Sequence, residues 1–113
     1  MSRLSTHVLD TSRGLPAAGI EVSLHAAANG GYTVLGQGVT DADGRIPNLV
    51  SADTQLAAGD YRLRFATGAY FQALGLAIFY PEVQIDVRLD ESKSGYHLPL
   101  LLSPYGYSTY RGS

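Results

Sequence analysis

Apolar and polar side chains alternate along several short stretches of this chain. The alternation is clearest over residues 20–25, 61–65 and 83–88. A period of two residues is typical of a β-strand with one buried face. Turn-forming residues separate the stretches, at positions 14–16, 29–31, 41–44, 58–60 and 94–95. Many short strands at this spacing predict a two-sheet sandwich or a barrel.

One segment departs from the alternation. Residues 69–75 contain helix-forming side chains and end on Gly75, which suits the left-handed position that closes a helix. We therefore predict a single short helix between two strands.

The length and composition favour one domain that associates with copies of itself. The chain has 113 residues and no linker-like tract, which predicts a single domain over residues 1–113. Hydrophobic residues make up 45% of it and charged residues only 16%. So few charges leave apolar surface to be covered, and we expect oligomerisation to cover it.

Composition also argues against several classes of function. The chain has no cysteine, which excludes disulfides and thiolate metal sites, and its net charge of −2 comes with no basic cluster suited to nucleic acid. The most apolar stretch, residues 69–80, is shorter than the roughly 20 residues that cross a bilayer. No signal-peptide pattern opens the sequence, so we expect a cytoplasmic protein that does not bind membranes.

Two histidines are candidates for chemistry because of their strand positions. If Leu98 and Leu100 fill the core, His97 points to the outer face of its sheet, and His7 lies in a similar alternating stretch whose inner face the pattern leaves open. From the residues alone, two solvated surface histidines are the simpler interpretation. His25 shares a polar register with its neighbours, and we expect it to be solvated and without a role.

Arg45 follows the tight turn Asp43-Gly44, where glycine permits a positive φ. Locally, an exposed arginine in a plain hairpin is the simpler interpretation. A calcium loop beginning at Asp41 is disfavoured, because its twelfth position is Ala52 and not a bidentate glutamate. No histidine spacing favours zinc, so we expect neither a metal nor another cofactor.

The sequence ends on Tyr110, Arg111, Gly112 and Ser113. A frayed polar tail is one interpretation of this ending. However, Ser108 and Thr109 suit a final strand, which favours an ordered end.

Several segments together resemble the transthyretin family. They are residues 4–10 (LSTHVLD), 14–19 (GLPAAG), 43–45 (DGR), 70–75 (YFQALG) and 100–105 (LLLSPY). The resemblance covers nearly the whole chain and is least specific over residues 26–31. It implies an all-β, transthyretin-like (prealbumin-like) two-sheet sandwich with one short helix. Histidines at 7 and 97, the arginine at 45 and the ending at 110–113 resemble the enzyme branch of the family and not its hormone carriers.

The enzyme branch implies a specific reaction, the hydrolysis of 5-hydroxyisourate to 2-oxo-4-hydroxy-4-carboxy-5-ureidoimidazoline in urate degradation. By this resemblance His7 and His97 transfer protons during direct attack by water, and Arg45 clamps the substrate. Ser113, through its hydroxyl or terminal carboxylate, orients water or substrate, while Tyr110, Arg111 and Gly112 shape the pocket. The site is expected in a channel of a homotetramer built as a dimer of dimers.

Two other classes of function stay open at this point. One is a transthyretin-like carrier that binds a small aromatic ligand in the same channel. The other is a passive extracellular sandwich module, for which the turns at 14–16 and 41–44 would suffice. That module predicts a signal peptide or neighbouring domains, which the sequence does not contain.

Overall fold

The computed structural model describes residues 3–90 and 94–112. Within them, nine strands and one helix follow each other in the order β1 Arg3–Asp10, β2 Leu15–Pro16, β3 Glu21–Ala28, β4 Gly31–Val39, β5 Arg45–Ile46, β6 Gly59–Phe65, α1 Thr67–Ala73, β7 Val83–Leu89, β8 Gly95–Ser103 and β9 Gly106–Thr109. The first sheet has the order β2-β1-β8-β9, with β5 also paired to β1, and the second has the order β4-β3-β6-β7. The predicted all-β sandwich with one short helix is confirmed.

The core lies between the two sheets and explains the alternation. The first sheet contributes Leu4, Val8 and Leu100, each at most 1% exposed, and the second contributes Leu63 and Phe65, which are fully buried. Strands β1 and β8 run parallel and pair from Arg3 and Gly95 to Asp10 and Leu102. Because side chains alternate across a strand, the residues between these core positions face away from the core.

The turn before β5 has the predicted left-handed glycine. Gly44 has φ of 76°, and the Asp41 carboxylate accepts the backbone N–H groups of Asp43 and Arg45 at 2.9 Å each. A Cβ on Gly44 would lie 2.3 Å from the carbonyl oxygen of Val8, far inside contact distance. Glycine is therefore required here, and the turn places Arg45 directly beside β1.

Helix α1 begins two residues before the predicted start and ends as its glycine predicts. Gly75 has φ of 73°. The N–H groups of Gly75 and Leu76 donate to the carbonyls of Gln72 and Phe71, each at 3.0 Å, which is the Schellman arrangement. No side chain caps the start of the helix, so the sequence carried no start signal. In the part of the chain that the structure describes, no helix has the length and apolarity to cross a membrane.

His25 is buried, and the expectation of a solvated residue is wrong. It is 9% exposed, and its Nε2 lies 2.8 Å from the Ser23 hydroxyl. The pairing of β3 with β4 shifts by one residue between Leu24 and His25, which simple alternation does not reveal. Burial, followed by the charges of Arg64 and Arg62, lowers the pKa of His25.

Candidate functional site

The candidate site lies on the outer face of the first sheet. Leu4, Thr6 and Val8 of β1 are buried, whereas Ser5 and His7 are half-buried on the opposite face. This resolves the orientation of His7, which the alternation had left open. On β8, His97 is half-buried, whereas Leu98 after it is buried, and His97 faces outward as predicted.

His7 and Arg45 are direct neighbours across two strands. The antiparallel register of β1 and β5 pairs them. The Nε2 atom of His7 lies 2.9 Å from the carbonyl oxygen of Asp43. A carbonyl oxygen only accepts hydrogen bonds, so Nε2 carries the proton, and a neutral His7 has its lone pair on Nδ1.

His97 lies on the other side of β1 from Arg45. The parallel register pairs it with Ser5 and pairs His7 with Pro99, so the two histidines are diagonal neighbours on one face. The Oγ of Ser5 lies 2.8 Å from Nδ1 of His97. Among outward positions of β1, β5 and β8, four carry basic or imidazole groups and none carries a carboxylate.

Burial and positive neighbours keep His97 neutral. Burial is the largest cause that lowers its pKa, followed by the charges of His7, Arg45 and Arg3. A positive charge on His97 would be repelled by the charges of Arg45 and Arg3 on the same face. The lowered pKa favours the neutral form of His97.

Gly112 packs directly against His97. Its N–H donates to the carbonyl of His97 at 2.8 Å, and the two residues form an isolated β-bridge. A Cβ on Gly112 would lie 2.8 Å from Cδ2 of the His97 ring, closer than real Cβ contacts allow. The chain is therefore ordered against the site as far as Gly112. Ser113 lies outside the described residues.

The other two residues predicted from the ending lie differently. Two cavities border His97. One, of about 260 Å³, is also lined by Arg3, Ser5 and Gly112, and the other, of about 250 Å³, is lined by Arg111 and by residues of β7. Tyr110 is 57% exposed and lines neither cavity. The structure thus brings His7, Arg45, His97 and Gly112 to one face, places Arg111 at its border and leaves Tyr110 apart.

Sequence reasoning missed two residues of this face, Arg3 and Ser5. Arg3 donates from Nε to the carbonyl of Pro47 at 3.1 Å, which directs its side chain towards the strand that carries Arg45. Both residues follow from His7 by steps of two along β1, and that signal was available in the sequence.

A cavity on the second sheet is a weaker candidate for the functional site. A larger cavity of about 480 Å³ lies on the second sheet and is lined by Glu21, Arg64 and Glu82, but it contains no histidine. The volume of this cavity does not by itself make it a reactive site. Within the described residues, no three histidine, aspartate or glutamate side chains gather as metal ligands.

The fold and this face define a class of protein: a two-sheet sandwich with histidines and arginines on the outside of one sheet. The model of the HIUase/Transthyretin family matches residues 4–112, and the chain belongs to that family. A 5-hydroxyisourate hydrolase of Salmonella typhimurium is 48% identical over 97% of this chain and 80% of its own length.

Two solved structures come from different branches of the family. The structure of Klebsiella pneumoniae 5-hydroxyisourate hydrolase has a TM-score of 0.87 and 44% identity and covers both chains completely. Sea bream transthyretin, solved in complex with thyroxine, has a TM-score of 0.90 and 35% identity over 97% of this chain and 94% of its own. Since the fold fits both equally well, sequence identity and the site residues must separate enzyme from carrier.

Proposed function

We propose that this protein hydrolyses 5-hydroxyisourate, opening its ring to give 2-oxo-4-hydroxy-4-carboxy-5-ureidoimidazoline. One observation carries the proposal: His7, Arg45 and His97 meet on one outward face of the first sheet. Relatives that are 42% to 48% identical are named 5-hydroxyisourate hydrolases or probable ones, which supports the same substrate.

The reaction needs three things from the site. A water oxygen bonds to the ring carbonyl carbon, the bond from that carbon to nitrogen breaks, and the nitrogen leaves with a proton. The carbonyl carbon becomes the carboxy group of the product, and the nitrogen becomes part of the ureido group. The site must therefore accept a proton from water, donate one to nitrogen and stabilise negative charge on the carbonyl oxygen.

We assign the two proton transfers to His7 and His97. His7 donates from Nε2 to the Asp43 carbonyl, which leaves its Nδ1 lone pair to accept a proton from water. His97 is half-buried on the same face, and its lowered pKa favours the neutral ring. Direct attack by water needs no covalent intermediate, and no acid–histidine pair activates a serine among the described residues.

Arg45 is assigned to the substrate carbonyl. Its guanidinium is permanently charged and presents a planar fork of donors, which suits a flat heterocycle with adjacent oxygens. No side chain or carbonyl within residues 3–90 and 94–112 forms a hydrogen bond or ion pair with this guanidinium. Its donors therefore remain available to a ligand.

The chain end is assigned to the wall of the pocket. Gly112 borders the His97 ring, and Arg111 lines the neighbouring cavity. Ser113, which lies outside the described residues, is assigned to orienting water or substrate by the family resemblance, while Tyr110 contributes only if a second subunit approaches it. The two roles at Ser113 and Tyr110 remain predictions from the family resemblance.

We further propose a homotetramer, built as a dimer of dimers. Four aromatic rings from the 74–82 segment and the β8–β9 hairpin contact each other in edge-to-face or tilted pairs: those of Phe79, Tyr80, Tyr105 and Tyr107. Phe79 is 62% exposed and Tyr105 is 70% exposed. An exposed apolar cluster of this kind is typical of a protein interface, and a second copy of the chain is the partner that fits the low charge content. Action in purine degradation in the cytoplasm remains a prediction.

A carrier that binds a small aromatic ligand is the alternative, favoured by the close fit to sea bream transthyretin. The two functions differ in turnover. Freshly generated 5-hydroxyisourate should lose its absorbance many times faster with trace amounts of protein than in buffer. A carrier would retard the decay or remove at most one equivalent per site, and that result would overturn the proposal.

A further inference from the structure

The side chain of Ser5 contacts His97 but has no role in the reaction proposed above. Ser5 and His97 are register partners on the parallel strands β1 and β8, and both face outward. Their Oγ and Nδ1 atoms are 2.8 Å apart in a half-buried position. This is an ordinary hydrogen-bond length, so a proton lies between the two atoms.

The second contact of the Ser5 hydroxyl indicates which atom donates. If His97 carried its proton on Nδ1, the protein acceptor left for the serine hydrogen would be the Tyr96 carbonyl, 3.4 Å away. Bonds between a hydroxyl and an oxygen are typically about 2.7–2.8 Å long, and 3.4 Å is outside that range. If Ser5 instead donates to Nδ1, its only hydrogen makes the short bond. These distances favour the Ser5 hydroxyl as the donor.

This direction fixes the form of the imidazole. A neutral His97 that accepts at Nδ1 must carry its proton on Nε2. The free nitrogen of His7 is an acceptor instead, because its Nε2–H donates to the Asp43 carbonyl and its Nδ1 holds a lone pair. One neutral ring on this face thus offers a donor at its far nitrogen, and the other offers an acceptor.

We propose that Ser5 is a positioning residue that holds His97 in the Nε2–H form. His7 then accepts a proton from the attacking water and becomes an imidazolium, while His97 donates its Nε2 proton to the ring nitrogen as the bond from carbon to nitrogen breaks and becomes an imidazolate. Return of one proton from His7 to His97 restores both neutral rings. The proposal rests on the hydrolase function proposed above and adds the direction of proton transfer. Ser5 acts through His97 and takes no part in the proton transfers itself.

The chain offers a matched control. Ser23 makes the same kind of contact to a different imidazole, with its Oγ 2.8 Å from Nε2 of His25 on the second sheet. Ser23→Ala removes an equivalent serine–histidine bond away from the site. Ser5→Ala removes the bond at the site, and Ser5→Thr keeps the hydroxyl on a residue that suits a strand.

Two readouts separate positioning from a purely structural role. The first is the tautomer of His97, read from its imidazole ¹⁵N shifts at neutral pH without substrate. We expect the Nε2–H form in the parent and in Ser5→Thr, and a mixture of forms in Ser5→Ala. The second is turnover: Ser5→Ala should lower kcat by about 10- to 100-fold with little change in KM, an order taken by analogy from the loss of partners that orient metal-bound histidines.

The outcomes decide the proposal in either direction. An Nδ1–H form in the parent overturns it, as does a Ser5→Ala variant whose tautomer and kcat equal those of the parent. An equal loss of kcat in Ser23→Ala would also overturn it, because the effect would then be general. The tautomer is measured on the protein alone, so an inactive parent would contradict the proposed function without affecting this test.

Discussion

At the scale of single residues, the site works by placing two imidazoles in opposite hydrogen-bonding states. His7 donates to a backbone carbonyl, and His97 contacts a serine hydroxyl. The strands supply these contacts through register alone, since His7 lies opposite Arg45 on one side and Pro99 on the other. Alternate residues of β1 therefore place their side chains on the same face of the sheet.

Replacing either site histidine should remove most of the activity. We expect His7→Asn and His97→Asn each to lower kcat/KM for 5-hydroxyisourate by about 10² to 10⁴-fold, the usual contribution of a general acid or base. His25→Asn is the control, because His25 lies in the second sheet. Steady-state turnover with thermal midpoints checks this, and a near-normal rate for either site variant would remove that histidine from the mechanism.

Arg45→Lys keeps the charge and should still be impaired. A lysine is a point charge and cannot present two parallel donors to a planar substrate, so we expect a loss of about 10²-fold in kcat/KM, the order seen when one donor to an oxyanion is lost. Arg62→Lys, on the second sheet and paired with Asp86, is the matched control. Equal activity of the lysine and parent proteins would contradict the clamp.

At the scale of elements, the end of the chain forms one wall of the site. Gly112→Ala places a methyl group against the His97 ring, because its Cβ would lie only 2.8 Å from Cδ2 of that ring. We expect the tail to move and kcat/KM to fall by about 10- to 100-fold, since small misplacements near reacting groups have effects of this order. Gly106→Ala meets its nearest neighbour at 3.7 Å and should be neutral. Unchanged turnover in Gly112→Ala would show that the tail is not part of the wall.

The end of β1 is tied to α1 through a buried carboxylate. Asp10 is fully buried, and it accepts hydrogen bonds from the N–H and hydroxyl of Ser12, from the N–H of Arg13 and from the Tyr70 hydroxyl. Burial alone would raise the pKa of Asp10, but these hydrogen bonds outweigh it and the pKa is lowered.

A lowered carboxyl pKa gives a stability contribution that is present above the unfolded-state pKa, about 3.9 for aspartate. That contribution is lost as pH falls through the lower folded-state pKa. Asp10→Asn should therefore cost about 1–3 kcal/mol of unfolding free energy at pH 7, and the gap should close at acid pH. Urea unfolding across pH tests this, and a gap that is constant with pH would contradict it.

The sequence predicted elements better than it predicted contacts. Alternation located β6 and β7, and Gly75 marked the end of α1, because these depend on local patterns. The burial of His25 depends on a register shift between strands, and the contact of Ser5 with His97 joins residues 92 positions apart. Local sequence does not encode either relation, so only the assembled sheet reveals them.

At the scale of the whole molecule, the exposed aromatic cluster predicts association. We expect a tetramer at micromolar concentration and dissociation on Phe79→Glu, because a charge in a desolvated interface is costly. Val34→Glu is the control, since Val34 is also 62% exposed but lies on β4, outside the aromatic cluster. Sedimentation or light scattering checks this, and a parent that is an active monomer would contradict the assembly.

The most direct test of the central claim is the rate of 5-hydroxyisourate decay at varied protein and substrate concentrations. We expect a rate that is proportional to the protein concentration, saturates with substrate and continues over many turnovers. In His97→Asn the rate should fall to near that of buffer. A parent protein whose decay rate equals that of buffer, or which consumes a single equivalent per subunit, would contradict it.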